Sequence, residues 1–125
     1  MTKILVVDDE LLLRNVLHDY LTRNNYEVFP VDDAEKAIEV AAAERPELAL
    51  VDIKLPRSSG IELTKELKAV LPDLTIIIMT GYPSLETAVN AMKNGATEYI
   101  IKPFRLDELN KIIKKYSNNN EPVTS

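Results

Sequence analysis

Ile4-Leu5-Val6-Val7-Asp8-Asp9 is an apolar run that stops on a pair of carboxylates, and three later runs stop in a similar way. Leu48-Ala49-Leu50-Val51 stops on Asp52, Thr75-Ile76-Ile77-Ile78-Met79 on Thr80, and Tyr99-Ile100-Ile101 on Lys102. Short runs that are apolar throughout, separated by longer segments of helical period, read as parallel strands buried on both faces. Parallel strands bring their C-terminal ends to one rim, so residues as distant as Asp8 and Lys102 become neighbours there. That rim is the candidate active site.

Outward from these runs, five strands are predicted: Ile4 to Val7, Tyr26 to Val31, Leu48 to Val51, Thr75 to Met79 and Glu98 to Ile101. Their alternation with helices predicts a doubly wound α/β fold with a parallel sheet. Pro30 marks the second strand as an edge, because proline cannot donate to a central ladder. The helical stripes are Leu13, Val16, Leu17, Tyr20 and Leu21; Ala34, Ala37, Ile38 and Ala41; Leu85, Ala88, Val89 and Met92; and Leu109, Ile112, Ile113 and Tyr116. Asp32 with Glu35, and Ser59 with Glu62, have the spacing of capping boxes. Gly95 stands where a helix C-terminus favours glycine. From Ser117 the polar segment SNNNEPVTS reads as a flexible tail or the start of a linker, leaving 1–116 as one domain.

Composition narrows the chemistry. At 125 residues and 46% apolar the chain suits a single core. Twenty acidic residues against fifteen basic give a net charge of -5, which repels a nucleic-acid backbone. There is no cysteine and one histidine, so thiolate sites and imidazole clusters are excluded and any metal site must use oxygen ligands. No apolar stretch approaches the roughly 18 residues of a membrane span, and no leader precedes Ile4, so a soluble cytoplasmic protein is expected.

Asp8, Asp9 and Asp52 at one rim put three carboxylates in a small cleft. Like charges about 4 Å apart cost on the order of 4 kcal/mol at an effective dielectric of about 20. A hard divalent cation offsets that, and Mg2+ suits best because it takes oxygen ligands and bridges carboxylates to phosphate. Lys102 adds a second positive charge and Thr80 a hydroxyl donor, which completes the parts needed for phosphoryl transfer onto a carboxylate. Taken alone, an acidic pair after a strand is more often a helix cap than a metal site, and Asp9 could cap the helix that follows. The joint placement carries the functional reading.

The segments VVDDE, LVDIKLPRSSG, IIMTGY and NGATEYIIKPF, in this order and spacing, resemble the signature segments of the receiver domain of bacterial two-component response regulators, over essentially all of Lys3 to Tyr116. The resemblance implies a flavodoxin-like sheet in the order 2-1-3-4-5. It implies Asp52 as phosphoacceptor, attacking a phosphohistidine on a sensor histidine kinase or phosphotransfer protein. It places Mg2+ on Asp9, Asp52 and the backbone carbonyl of Lys54, with Asp8 acting through water. It pairs Lys102 with Asp52 or its phosphoryl group, sets Thr80 on a phosphoryl oxygen, makes Tyr99 an aromatic switch, and makes the Lys102-Pro103 bond cis. No enzyme activity is implied beyond Mg2+-dependent self-phosphorylation and autodephosphorylation.

The MTGYPSLETAVNAMKNGATEYIIKPF stretch is most similar to receivers that precede the ATPase domain of enhancer-binding, NtrC-type activators. The expected outcome is a phosphorylation switch that changes its contacts with an output domain or target, and possible homodimerisation, through the surface of the fourth helix, fifth strand and fifth helix. A free-standing chemotaxis or phosphorelay receiver is the alternative. Haloacid dehalogenase-like phosphatases use a similar residue set, but their nucleophile lies in Asp-x-Asp on the first strand, whereas here that strand ends Asp8, Asp9, Glu10. The three glycines build no phosphate-cradling loop.

Overall fold

The computed structural model describes residues 1–117. Five strands form one parallel sheet: β1 (Lys3–Val7), β2 (Glu27–Val31), β3 (Leu48–Asp52), β4 (Thr75–Thr80) and β5 (Glu98–Ile101). Their order is β2-β1-β3-β4-β5. Helices α1 (Leu11–Arg23), α2 (Ala34–Glu44), α3 (Gly60–Val70), α4 (Leu85–Lys93) and α5 (Leu106–Tyr116) fill the crossovers and follow the last strand. β2 pairs only with β1, so Pro30 does lie on an edge strand. A two-residue ladder, Lys54–Leu55 with Ser58–Ser59, ties the loop after β3 to the start of α3.

Apolar strands with no polar face are explained by two cores, one on each side of the sheet. Leu5, Val7, Ala49, Val51, Ile76 and Ile78 point to one face and pack against Ala37 and Ala41 of α2, Leu63 and Leu67 of α3, and Ala91 of α4. Ile4, Val6, Leu48, Leu50, Ile77 and Met79 point to the other, against Leu17 and Leu21 of α1 and Leu109 and Ile113 of α5. The period-two alternation of side chains divides each strand between the two layers. Each fully buried leucine or isoleucine contributes roughly 1.5–3 kcal/mol relative to exposure.

Four details depart from the sequence reading. The stripe Leu85, Val89 and Met92 faces outward: Leu85 is 81% exposed, and α4 buries only Ala91. The period marks an apolar face but not what it faces, and here the small Ala91 lets α4 sit against the sheet. Val16 of α1 is likewise exposed, while Leu17 and Leu21 carry that helix's contact. The cap of α2 is Asp33, whose extended backbone lets its carboxylate accept from the Lys36 amide at 2.8 Å. Asp32 instead pairs with the Lys36 ammonium at 2.9 Å. Ser59 caps α3 as expected, accepting from the Glu62 amide at 3.1 Å, and Gly95 after α4 has the positive φ of 108° that glycine tolerates. Ser117, read as the start of a tail, is buried with its hydroxyl 3.0 Å from that of Thr2. The rest of that segment, 118–125, lies outside the described residues.

Candidate functional site

Strand order places the site. After β1 the chain moves to one side for β2 and then to the other for β3, which leaves a crevice beyond the C-terminal ends of β1 and β3. Val7 is in register with both Val31 and Val51, so the acids that follow β1 and β3 emerge side by side. One carboxylate oxygen from each of Asp8, Asp9 and Asp52 lies within 4.8 Å of the others.

Asp8 is fully buried, and all four of its polar atoms are bonded. Its amide donates to the Val31 carbonyl at 3.2 Å, Oδ1 accepts from the Glu10 amide at 2.8 Å, and Oδ2 accepts from Lys102 Nζ at 2.9 Å. Its carbonyl accepts from Arg14 Nη1 at 2.9 Å. Asp9 is exposed at the mouth of the pocket and does not cap α1, whose N-cap, Glu10, makes no side-chain cap bond. Asp52 ends β3, with Oδ2 3.4 Å from Lys102 Nζ and Oδ1 3.4 Å from the Lys54 amide.

Lys102 therefore sits closer to Asp8 than to Asp52. Burial pushes the Asp52 carboxyl above its ordinary pKa, the Asp8 charge pushes it further, and Lys102 only partly pulls it back. Burial works against the Lys102 ammonium, but its bond to Asp8 and the charges of Asp8 and Asp52 outweigh it and raise its pKa. Three acids against one amine leave excess negative charge, and the donors are oxygen only. This donor set fits a hard divalent cation.

The other wall comes from β4 and β5. Thr80 ends β4 fully buried, and its hydroxyl accepts from the Tyr82 amide at 3.0 Å. The Lys102 amide donates to the Thr80 carbonyl at 2.7 Å, extending the β4–β5 ladder to the rim. The Lys102-Pro103 peptide is cis. Tyr99 packs into the core shared with α2, α3 and α4, and its hydroxyl is buried with no hydrogen-bond partner among the described residues.

A cavity of about 420 Å³ opens above these groups, with Lys54 and Tyr82 at its edge. The Lys54 ammonium lies 4.1 Å from the centre of the Tyr82 ring, so the loops after β3 and β4 touch across the opening. Gly60 packs against the backbone of Asp52: a Cβ there would lie 2.3 Å from the Asp52 carbonyl oxygen, so only glycine fits. The structure thus brings Asp8, Asp9, Asp52, Lys54, Thr80 and Lys102 to one rim and sets Tyr99 beneath it on β5. Arg14 was not singled out by the sequence, because a basic residue early in an amphipathic helix carries no signal that it folds back onto the preceding turn.

Fold and pocket define the class: a doubly wound α/β domain with an acidic pocket, an amine and a hydroxyl at the C-terminal rim of its sheet. The family model for the response regulator receiver domain matches residues 4–114. Sporulation initiation phosphotransferase F of Bacillus subtilis is 35% identical over 91% of this chain and 92% of its own length. The DNA-binding transcriptional regulator NtrC of Azospirillum brasilense is 37% identical over 95% of this chain but only 25% of its own length. Among solved structures, the response regulator TrrA of Thermotoga maritima in complex with Mg2+-BeF superposes with a TM-score of 0.84 at 32% identity, covering 94% of this chain and 100% of that one. The chain belongs to the response regulator receiver domain family of two-component signalling systems. Among the described residues no helix is long and apolar enough to cross a membrane.

Proposed function

We propose that Asp52 is the phosphoacceptor of a signalling switch. Its carboxylate oxygen attacks the phosphorus of a phosphohistidine on a sensor histidine kinase or phosphotransfer protein. The O–P bond forms as the P–N bond breaks, and the electron pair returns to the imidazole nitrogen. The observation that carries this reading is the pocket itself: Asp52 Oδ2 stands 3.4 Å from Lys102 Nζ, beside two further carboxylates. Asp9, Asp52 and the Lys54 carbonyl would hold Mg2+, with Asp8 acting through water, and the ion would supply neutralising charge for the acids and the phosphoryl oxygens. Lys102 pairs with the phosphoryl group, and the Thr80 hydroxyl, which accepts from the Tyr82 amide and keeps its own proton free to donate, moves to donate to one of its oxygens. Tyr99 follows that movement, and the exposed surface of α4, β5 and α5 changes partner. The same pocket supports self-phosphorylation from small donors and autodephosphorylation.

For the output, similarity to NtrC supports a receiver that governs an attached transcriptional regulator, and the net charge of -5 supports one that does not itself bind a nucleic-acid backbone. The near full-length match to sporulation initiation phosphotransferase F supports a phosphorelay receiver as the second reading. Incubation with acetyl phosphate and Mg2+ followed by intact-mass measurement tests the chemistry. One phosphoryl group should be added to the wild type and none to Asp52→Asn; addition to the variant rejects Asp52 as acceptor. Phosphotransfer from the purified chain to a histidine phosphotransfer protein, set against phosphorylation-dependent ATPase activity of the intact gene product, separates the two outputs.

A further inference from the structure

We propose that Arg14 is a positioning residue for the cation-binding side of the pocket, holding the peptide that joins Asp8 to Asp9 so that the Asp9 carboxylate is presented to Mg2+. The inference rests on the Mg2+ reading above. It starts from an asymmetry between two adjacent acids. All four polar atoms of Asp8 are bonded, whereas Asp9 is exposed and makes no hydrogen bond or ion pair of its own among the described residues. The direction of the Asp9 side chain is therefore set by its backbone alone. That backbone begins at the Asp8 carbonyl, and the group that holds this carbonyl is the Arg14 guanidinium at 2.9 Å.

Arg14 is well anchored for the task. Its amide donates to the Glu10 carbonyl at 3.0 Å, which fixes it in the first turns of α1, and its half-buried side chain folds back to the turn that precedes the helix. The planar guanidinium keeps its fork in one orientation, which an ammonium on a flexible stem does not. Groups that orient a metal ligand rather than touch the metal typically change metal affinity by 10–100-fold when removed.

Charge and positioning predict opposite signs, which makes the role testable. Removing a cation near three carboxylates raises the local negative potential and by charge alone tightens a cation site. Weaker Mg2+ binding after loss of Arg14 is therefore the mark of lost positioning. Mg2+ is titrated by calorimetry, and independently by thermal stabilisation, into the wild-type chain, Arg14→Gln, Arg14→Met, Arg14→Lys and Arg23→Gln. Arg23, at the far end of the same helix, is exposed and among the described residues bridges only Asp19, at 3.6 Å, so it controls for loss of a helix charge.

Arg14→Gln and Arg14→Met should raise the Mg2+ half-saturation concentration by about tenfold or more, Arg14→Lys by less, and Arg23→Gln not at all. Saturating Mg2+ should restore phosphorylation of the Arg14 variants by acetyl phosphate to the wild-type extent, because Asp52 is untouched. Unchanged or tighter Mg2+ binding in whichever of the Gln and Met variants folds overturns the proposal, even if its melting temperature falls. A wild-type chain that shows no saturable Mg2+ binding would instead overturn the Mg2+ reading of the pocket.

Discussion

On the β1–β3 side of the pocket every polar atom of Asp8 has a partner, whereas on the β4–β5 side the Tyr99 hydroxyl is buried without one among the described residues and α4 fully buries Ala91 alone. The first side is organised before any ligand arrives, as a site that stabilises developing charge should be. On the second, the buried strand β4 is flanked by a helix anchored through one fully buried residue and by a buried hydroxyl without a partner among the described residues, features of an element that shifts at low cost. An acidic cluster built on a fully bonded aspartate and a lightly anchored helix are thus neighbours around one sheet.

The comparison can be broken most forcefully at Lys102. Lys102→Met leaves buried Asp8 facing Asp52 with no cation between them, and removing one partner of a buried charge pair costs about 3 kcal/mol or more. Urea unfolding should show that loss without Mg2+ and a smaller one with it; equal losses would mean that charge does not hold the β1–β3 side together.

Asp52→Asn should act the other way and by a smaller margin. Because the folded pKa of Asp52 is raised, its ionised form costs stability, and that cost is fully present only above the folded pKa. As pH falls through that raised value the folded protein takes up a proton and the cost disappears. The variant should therefore melt higher than wild type in Mg2+-free buffer at neutral pH, with the gap closing on acidification. A gap independent of pH would refute the electrostatic origin.

Tyr99→Phe sharpens the other half. Deleting a buried hydroxyl that has no partner should stabilise the protein by about 1 kcal/mol, read as a higher urea midpoint; a loss of stability would show that the hydroxyl is satisfied in solution. Least affected should be Leu85→Ser on the exposed face of α4, within about 0.5 kcal/mol of wild type. A larger loss would mean that α4 is held by contacts beyond Ala91.

The same division governs what the sequence discloses. The central strands are legible because Leu48 to Val51 and Ile76 to Met79 are buried on both faces, as runs alternating with helical segments are in a covered parallel sheet. Pro30 discloses its edge because a missing donor has one consistent place. Asp8, Asp52, Thr80 and Lys102 are readable as site candidates because strand ends in such a sheet converge. What failed depends on orientation. Leu85, Val89 and Met92 have the same period whether they face a core or solvent. Asp32 and Asp33 are equal as caps until the backbone decides which is extended. That Lys102 lies nearer Asp8 than Asp52, and that Arg14 bends back onto a carbonyl, are distances between loops, on which local propensity is silent.

The hydroxyls of Thr2 and Ser117 meet at 3.0 Å on the rim where β1 begins, while the pocket lies where β1 ends. A strand of five residues is about 17 Å long. Any polypeptide spliced ahead of Thr2 or beyond Ser117 therefore sets out from the pole opposite the acidic pocket, and a change of charge there would reach it through the body of the domain or by its folding back along the flank, not by touch where it joins.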